Sequence, residues 1–152
     1  MSSLHEWKVT EPWLDTHCSL GEGPFFEQQT NSVRFVDIQQ KRLHSASLNE
    51  GIASLKTIQL DVPVTVTANI EGVDPTERIL IGMKSGLAVL DRKSGSYEVI
   101  SRFAEPGNDR VRSNDGASDT QGRFWIGTMT DFGQGDFRPE GRSTTHDMSS
   151  QW

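Results

Sequence analysis

Three short apolar runs recur along this chain at a fixed interval. "RFVDI" (34–38), "ILIGM" (79–83) and "FWIGT" (124–128) align on Val36, Ile81 and Ile126, so that each step is 45 residues. Each run follows a turn and a less apolar strand, in "GPFFEQQTNS", "TANIEGVDPTE" and "GASDTQG". Between recurrences lie two further strand patterns and no helical periodicity. A period of this length with about four strands per unit is the pattern of a β-propeller blade. One four-stranded sheet cannot bury both its faces, so blades stack on their neighbours. The sequence therefore predicts an all-β fold: an incomplete β-propeller of about two and a half four-stranded blades, where closed rings have about 4–8.

Expected strands run from Ser32–Ile38 to Arg123–Met129, with a short one at Gly116–Asp119. The strand pattern stops near Gly141. Residues 1–141 are read as the propeller portion and 142–152, "RSTTHDMSSQW", as a polar tail, non-native or disordered. An open ring should leave the outer blades bare, the Phe124/Trp125 region included, and favour self-association through exposed blade faces. Other classes of function are disfavoured by composition. The net charge of −6 and the lack of a Lys/Arg run argue against nucleic acid. No apolar run approaches a membrane span, and the start, "MSSLHEWKVTEPW", has no apolar signal core. A cytoplasmic protein is expected. Cys18 is the sole cysteine, which removes disulfide frameworks and cysteine zinc sites.

Candidate chemistry gathers where a propeller would have its channel mouth, on the segments leading into the innermost strands. Glu22, in "LGEGPFF", holds that place in the first unit, and Asn114, in "RSNDGAS", holds it in the third. A carboxylate and an amide oxygen are hard ligands suited to Ca²⁺, Mg²⁺ or Mn²⁺, and a carboxylate also suits Zn²⁺. Taken singly, each motif has a plainer reading. "NDG" is a good turn tripeptide, "GEGP" can be a Gly/Pro turn with a solvated acid, and Arg112 can be a surface ion pair. Asp115 is read as structural. Asp37, an acid inside a strand, is read as a backbone or turn hydrogen-bonder. His5, His17, His44 and His146 have no ligand spacing, and no Ser-His-Asp set or phosphate loop is evident.

Taken together, "LGEGPFFEQQTNSVRFVDI" and "RSNDGASDTQGRFWIGTM" resemble the SMP-30/gluconolactonase/LRE (regucalcin-like) family, across residues 12–141 and over its amino-terminal half only. The resemblance implies a parental six-bladed propeller and metal-assisted hydrolysis of sugar lactones or related small lactones. By the same resemblance Glu22 is a metal ligand, and Arg112 and Asn114 are the pair that contacts substrate. The family's remaining ligands, an Asn and the Asp expected as general base, would lie in later blades. The cofactor would be a divalent cation (Zn, Ca, Mn or Mg), with only part of its ligand set here. Asp131 lies near a position where some members carry a substrate-holding acid, and it is not assigned. The reading is a fragment of a metal-dependent lactone hydrolase, expected to be a poor catalyst and marginally stable alone. The alternative is a catalytically inactive truncated isoform or gene-model artefact. A WD40- or kelch-like interaction propeller ranks third, since neither signature occurs.

Overall fold

The computed structural model describes residues 4–103 and 109–147. Eleven strands run in chain order: β1 Gly21–Glu27, β2 Ser32–Asp37, β3 Arg42–Ser47, β4 Lys56–Gln59, β5 Val64–Ala68, β6 Arg78–Met83, β7 Gly86–Asp91, β8 Tyr97–Arg102, β9 Val111–Ser118, β10 Arg123–Thr130 and β11 Ser143–Asp147. A single 3-10 turn, Gly51–Ser54, is the only helical element among the described residues. The strands form three sheets, β1-β2-β3-β4, β5-β6-β7-β8 and β11-β10-β9, and all pairings are antiparallel. Each sheet is one blade. The all-β blade architecture expected from the sequence is the one observed.

The blades are held by two apolar interfaces. Val36, Leu43 and Leu60 of the first blade meet Val64, Ile79, Ile81, Met83 and Leu90 of the second. On the second blade's other face, Val66, Leu80, Leu87 and Val89 meet Phe124 and Ile126 of the third. The middle sheet is thus covered on both faces: β6 and β7 read as near-continuous apolar runs without alternation, while β5 alternates Val with Thr. Gly82 makes room for this stack, since a Cβ there would stand 2.8 Å from the tip of Ile126.

Polar groups clamp the same interfaces. Arg34 is wholly buried. Its Nε donates to Thr67 Oγ1 of β5 at 2.8 Å and its Nη1 to Glu27 Oε1 at 2.8 Å, while its guanidinium lies 3.9 Å from the Phe25 ring centre. Arg92 of the second blade also reaches the Glu27 carboxylate, with Nη2 3.2 Å from Oε2. Between the second and third blades, the Thr65 and Ser113 hydroxyls are 2.6 Å apart, and Ser113 Oγ donates to the Met83 carbonyl at 2.7 Å.

Four expectations are corrected. Val36, Ile81 and Ile126 all sit buried on the second strand of their blades. Yet Val36 enters the first interface from the first blade's side, whereas Ile81 and Ile126 each face back toward the preceding blade. The repeat holds in facing from the second blade to the third and slips by one residue before that. The tail supplies a strand: β11 pairs with β10 from Gly127↔Ser143 to Arg123↔Asp147. An edge strand needs backbone pairing more than apolar alternation, and the β-branched Thr144 and Thr145 suit it. His146 Nε2 lies 3.2 Å from Ser101 Oγ of β8. Phe124 is not on a bare face: it is 1% exposed in the second interface, while Trp125, on the opposite face of β10, is 44% exposed. Finally, Arg112, Asn114 and Asp115 lie within β9, not in a turn before it. Gly116 pairs with Ile126 and Ser113 with Thr128, so Asn114 and Asp115 together oppose Gly127 in a β-bulge. Gly116 serves close approach here rather than positive φ: an added Cβ would lie 2.5 Å from the Trp125 carbonyl oxygen and 2.8 Å from the Phe124 ring.

Two stability tests follow from this packing. Gly116→Ala should destabilise the chain by roughly 1–3 kcal/mol, because backbone and a buried ring must both shift; urea unfolding measures it, and an unchanged midpoint would contradict the close approach. Glu27→Gln should cost roughly 3–5 kcal/mol, since it takes the counter-charge from a buried cation, Arg34, and a partly buried one, Arg92. Burial alone would raise the Glu27 carboxyl, but hydrogen bonds and charge from Arg92 and Arg34 outweigh burial and hold it below its ordinary 4.5. A carboxyl depressed on folding stabilises fully above the unfolded-state value and loses that contribution as pH falls through the folded one. The wild type should therefore lose more stability between about pH 6 and pH 3 than Glu27→Gln does. Equal losses would place the acid sensitivity elsewhere.

Candidate functional site at the channel mouth

Each innermost strand, β1, β5 and β9, is an edge of its sheet. Its outer side has no strand partner, so polar groups carried there keep access to solvent or ligand. All three strands bulge. In β1, Gly23 and Pro24 together oppose Phe35, with Gly23 at φ 58°. In β5 the extra residue is Thr65, and in β9 the bulge holds Asn114 and Asp115. Pro24 is tolerated in β1 because an edge strand needs no donor on its open side.

Two of the three candidate residues, Arg112 and Asn114, are in contact on β9, and Glu22 lies on β1, the matching edge strand of the first blade. Glu22 is exposed near the start of β1, paired with Val36. Asn114 is exposed on the β9 bulge. Arg112 lies two residues earlier and is 3% exposed. Its Nη1 donates to the Ser113 carbonyl at 2.7 Å and to Asn114 Oδ1 at 3.2 Å, and its Nη2 to Met129 Sδ at 3.3 Å. The Phe132 ring centre is 4.7 Å from the guanidinium. Burial lowers the Arg112 pKa, and the negative charges of Asp131 and Glu22 act in the opposite direction. Asp115 accepts its neighbour's Gly116 N–H at 2.7 Å, a local backbone contact.

Asp131, left unassigned by the sequence, belongs to the same cluster. Its Oδ1 is 3.5 Å from Arg112 Nε and its Oδ2 is 2.7 Å from Lys84 Nζ. Nothing in the local sequence signals this pairing, because Lys84, Arg112 and Asp131 come from three different strand ends. Asp37 behaves as a backbone hydrogen-bonder: buried, it accepts the Ser19, Leu20 and Gln40 N–H groups at 2.8, 3.2 and 3.1 Å. The "DTQGR" motif is turn chemistry too. Asp119 accepts the Gln121 and Arg123 N–H groups at 2.9 and 3.0 Å and the Trp125 indole N–H at 2.9 Å, while Gly122 takes φ 77°. The hydrogen bond from Trp125, with those from Arg123 and Gln121, holds the Asp119 carboxyl far below its usual range.

As a metal site the cluster does not stand alone. Among the described residues, no three His, Cys, Asp or Glu side chains converge on one point. Asn114 Oδ1 already accepts from a guanidinium, and a buried cation below it opposes a second positive charge. Glu22 is left as a single carboxylate ligand. No helix among the described residues is long and apolar enough to cross a membrane.

A cell growth-regulated gene 1 protein of Candida albicans is 31% identical over 137 residues, which is 81% of this chain and 40% of that protein. The 6-deoxy-6-sulfogluconolactonase of Pseudomonas putida is 30% identical over 112 residues, 72% of this chain and 35% of that enzyme. The crystal structure of regucalcin from Agrobacterium tumefaciens, a calcium-binding protein, superposes with a TM-score of 0.65 at 28% identity over 74% of this chain and 36% of that one. The chain thus spans 35–40% of the length of these curated relatives, and its structural neighbours are six-bladed propellers. Residues 20–150 match the sequence profile of the SMP-30/Gluconolactonase/LRE-like region, and the chain belongs to that family.

Proposed function

We propose that this chain forms one wall of the mouth of a sugar-lactone-hydrolysing site. The observation that carries the reading is the Arg112–Asn114 contact on the edge strand β9, with Glu22 exposed on β1, the matching edge strand of the first blade. The sulfogluconolactonase relative adds the substrate class. Of the pair that the resemblance assigns to substrate, Asn114 is the direct contact, and Arg112, 3% exposed, acts from beneath it. With its Oδ1 taken by Arg112, Asn114 presents amide N–H donors, which suit the ring, carbonyl and hydroxyl oxygens of a lactone. The Arg112 charge beneath draws electron-rich oxygens toward those donors. Holding the ring in one pose is the contribution to rate that such residues can make.

Glu22 is proposed as one ligand of a divalent cation, Ca²⁺, Zn²⁺, Mn²⁺ or Mg²⁺, whose other ligands the described residues do not supply. When bound, such a cation polarises a carbonyl and acidifies water. No general base is assigned on this chain. A second reading, a chain that binds lactones without turning them over, rests on no three His, Cys, Asp or Glu side chains among the described residues being grouped to hold a metal ion. A cytoplasmic setting is proposed with either.

Binding tests both readings. Titrating purified residues 1–152 with δ-gluconolactone or gluconate should shift the NMR signals of Asn114 and its β9 neighbours. Asn114→Ala should weaken binding by about 2- to 10-fold, the worth of one neutral hydrogen bond. Mn²⁺ should broaden resonances around Glu22, and Glu22→Gln should remove the effect. Lactone shifts on the outer strands instead, or Mn²⁺ broadening indifferent to Glu22→Gln, would sink the assignment. Turnover measured with added Zn²⁺, Ca²⁺ or Mn²⁺ separates the hydrolase from the binder.

A further inference from the structure

We infer that Asp131 is a positioning residue of this site: through Arg112 it fixes the Asn114 amide with its N–H donors outward, and through Lys84 it ties that orientation to the neighbouring blade. The inference rests on the reading of Asn114 as a substrate contact, and deepens it.

The Arg112 guanidinium is enclosed. Nη1 is occupied by the Ser113 carbonyl and Asn114 Oδ1, Nη2 reaches Met129 Sδ, and Phe132 covers a face. Its Nε is buried with no hydrogen-bond partner. A buried cation with an orphaned donor is costly unless a counter-charge stands close. The nearest carboxylate is Asp131, 3.5 Å from Nε. Without that charge the guanidinium would gain by turning out toward water, which would release Asn114 Oδ1. The Asn114 amide would then be free to rotate, and the mouth could meet a lactone with an acceptor as readily as with a donor.

Asp131 is itself held on both oxygens. Oδ1 accepts the Phe132 N–H at 2.8 Å, and Oδ2 meets Lys84 Nζ at 2.7 Å. With both oxygens engaged and the side chain mostly buried, Asp131 is poorly placed to take a substrate hydroxyl, so its effect passes through Arg112. Lys84 follows β6 in the second blade, and its carbonyl accepts the Ser113 N–H of β9 at 2.9 Å. The same residue therefore anchors β9 by backbone and Asp131 by side chain. A shift of the second blade against the third would be felt at Asn114.

The test reads side-chain NMR of residues 1–152. In the wild type, Arg112 Nε–H should exchange with water at least about tenfold more slowly than exposed arginines do, and the two Asn114 Nδ2 protons should be distinct. Asp131→Asn should abolish the protection and merge or shift the Asn114 pair, and Asp131→Glu should restore both in part. Lys84→Met keeps the carboxylate and should give an intermediate result; it also serves if Asp131→Asn does not fold. A merely structural Asp131 would lower the unfolding midpoint and leave these resonances as they are, and that outcome in either variant overturns the inference. In lactone titrations, Asp131→Asn should weaken binding by the same factor as Asn114→Ala. If the wild type binds no lactone while the resonances still couple, the functional reading fails and the positioning role stands.

Discussion

The fold depends on the double burial of the middle sheet. β6 and β7 are apolar toward both neighbours, which is why "ILIGM" and "GLAVL" lack the alternation of a sheet with one wet face. Fully burying a side chain such as Ile126 or Phe124 is worth about 1.5–3 kcal/mol, and each interface gathers several. That stacking also sets the approach of the innermost strands. Because β5 lies against both β1–β2 and β9, residues 90 or more positions apart in sequence, Glu22 and Arg112 through Asn114, sit on strands that flank the same strand, β5. The site is a by-product of blade packing before it is anything else.

The sequence was most legible where one repeat copies another. The interval from Ile81 to Ile126 is preserved in facing as well as in number, so the second strand of those blades could be read directly. The interval from Val36 to Ile81 has the same length and the opposite facing. Connections differ in size: four residues, Ile38 to Lys41, join β2 to β3, while Lys84 and Ser85 alone join β6 to β7. Equal totals can hide a one-residue slip, and in a strand one residue exchanges the faces.

The β9 bulge was not legible for a different reason. Asn and Asp are poor strand formers, so "SNDG" reads as a turn from composition alone. What makes it strand is the partner across the ladder, β10, with Gly116 lying close against Phe124 and Trp125. Likewise β11 has no apolar pattern to detect, since it is specified by pairing with β10. Of the site, the quoted motifs pointed to Glu22, Arg112 and Asn114, and the structure puts Arg112 and Asn114 in contact. The Lys84–Asp131–Arg112 pairing has no local signal and required the tertiary fold.

The two blade interfaces solve one electrostatic problem in the same way. At the first, Arg34 stacks on Phe25 and shares Glu27 with a cation from the next blade, Arg92; its Nη2 is buried without a hydrogen bond. At the second, Arg112 lies against Phe132 and shares Asp131 with a cation from the preceding blade, Lys84; its Nε is buried without a hydrogen bond. In both, a carboxylate bridges two blades and an aromatic ring takes the place of water on the guanidinium face. The units differ in what adjoins them. Glu27 also accepts from Ser32 at 3.1 Å, within its own blade, and its cluster ends in structure. Arg112 Nη1 donates to Asn114, which is exposed. A clamp that closes one interface becomes, at the next, the support for a polar group at the mouth.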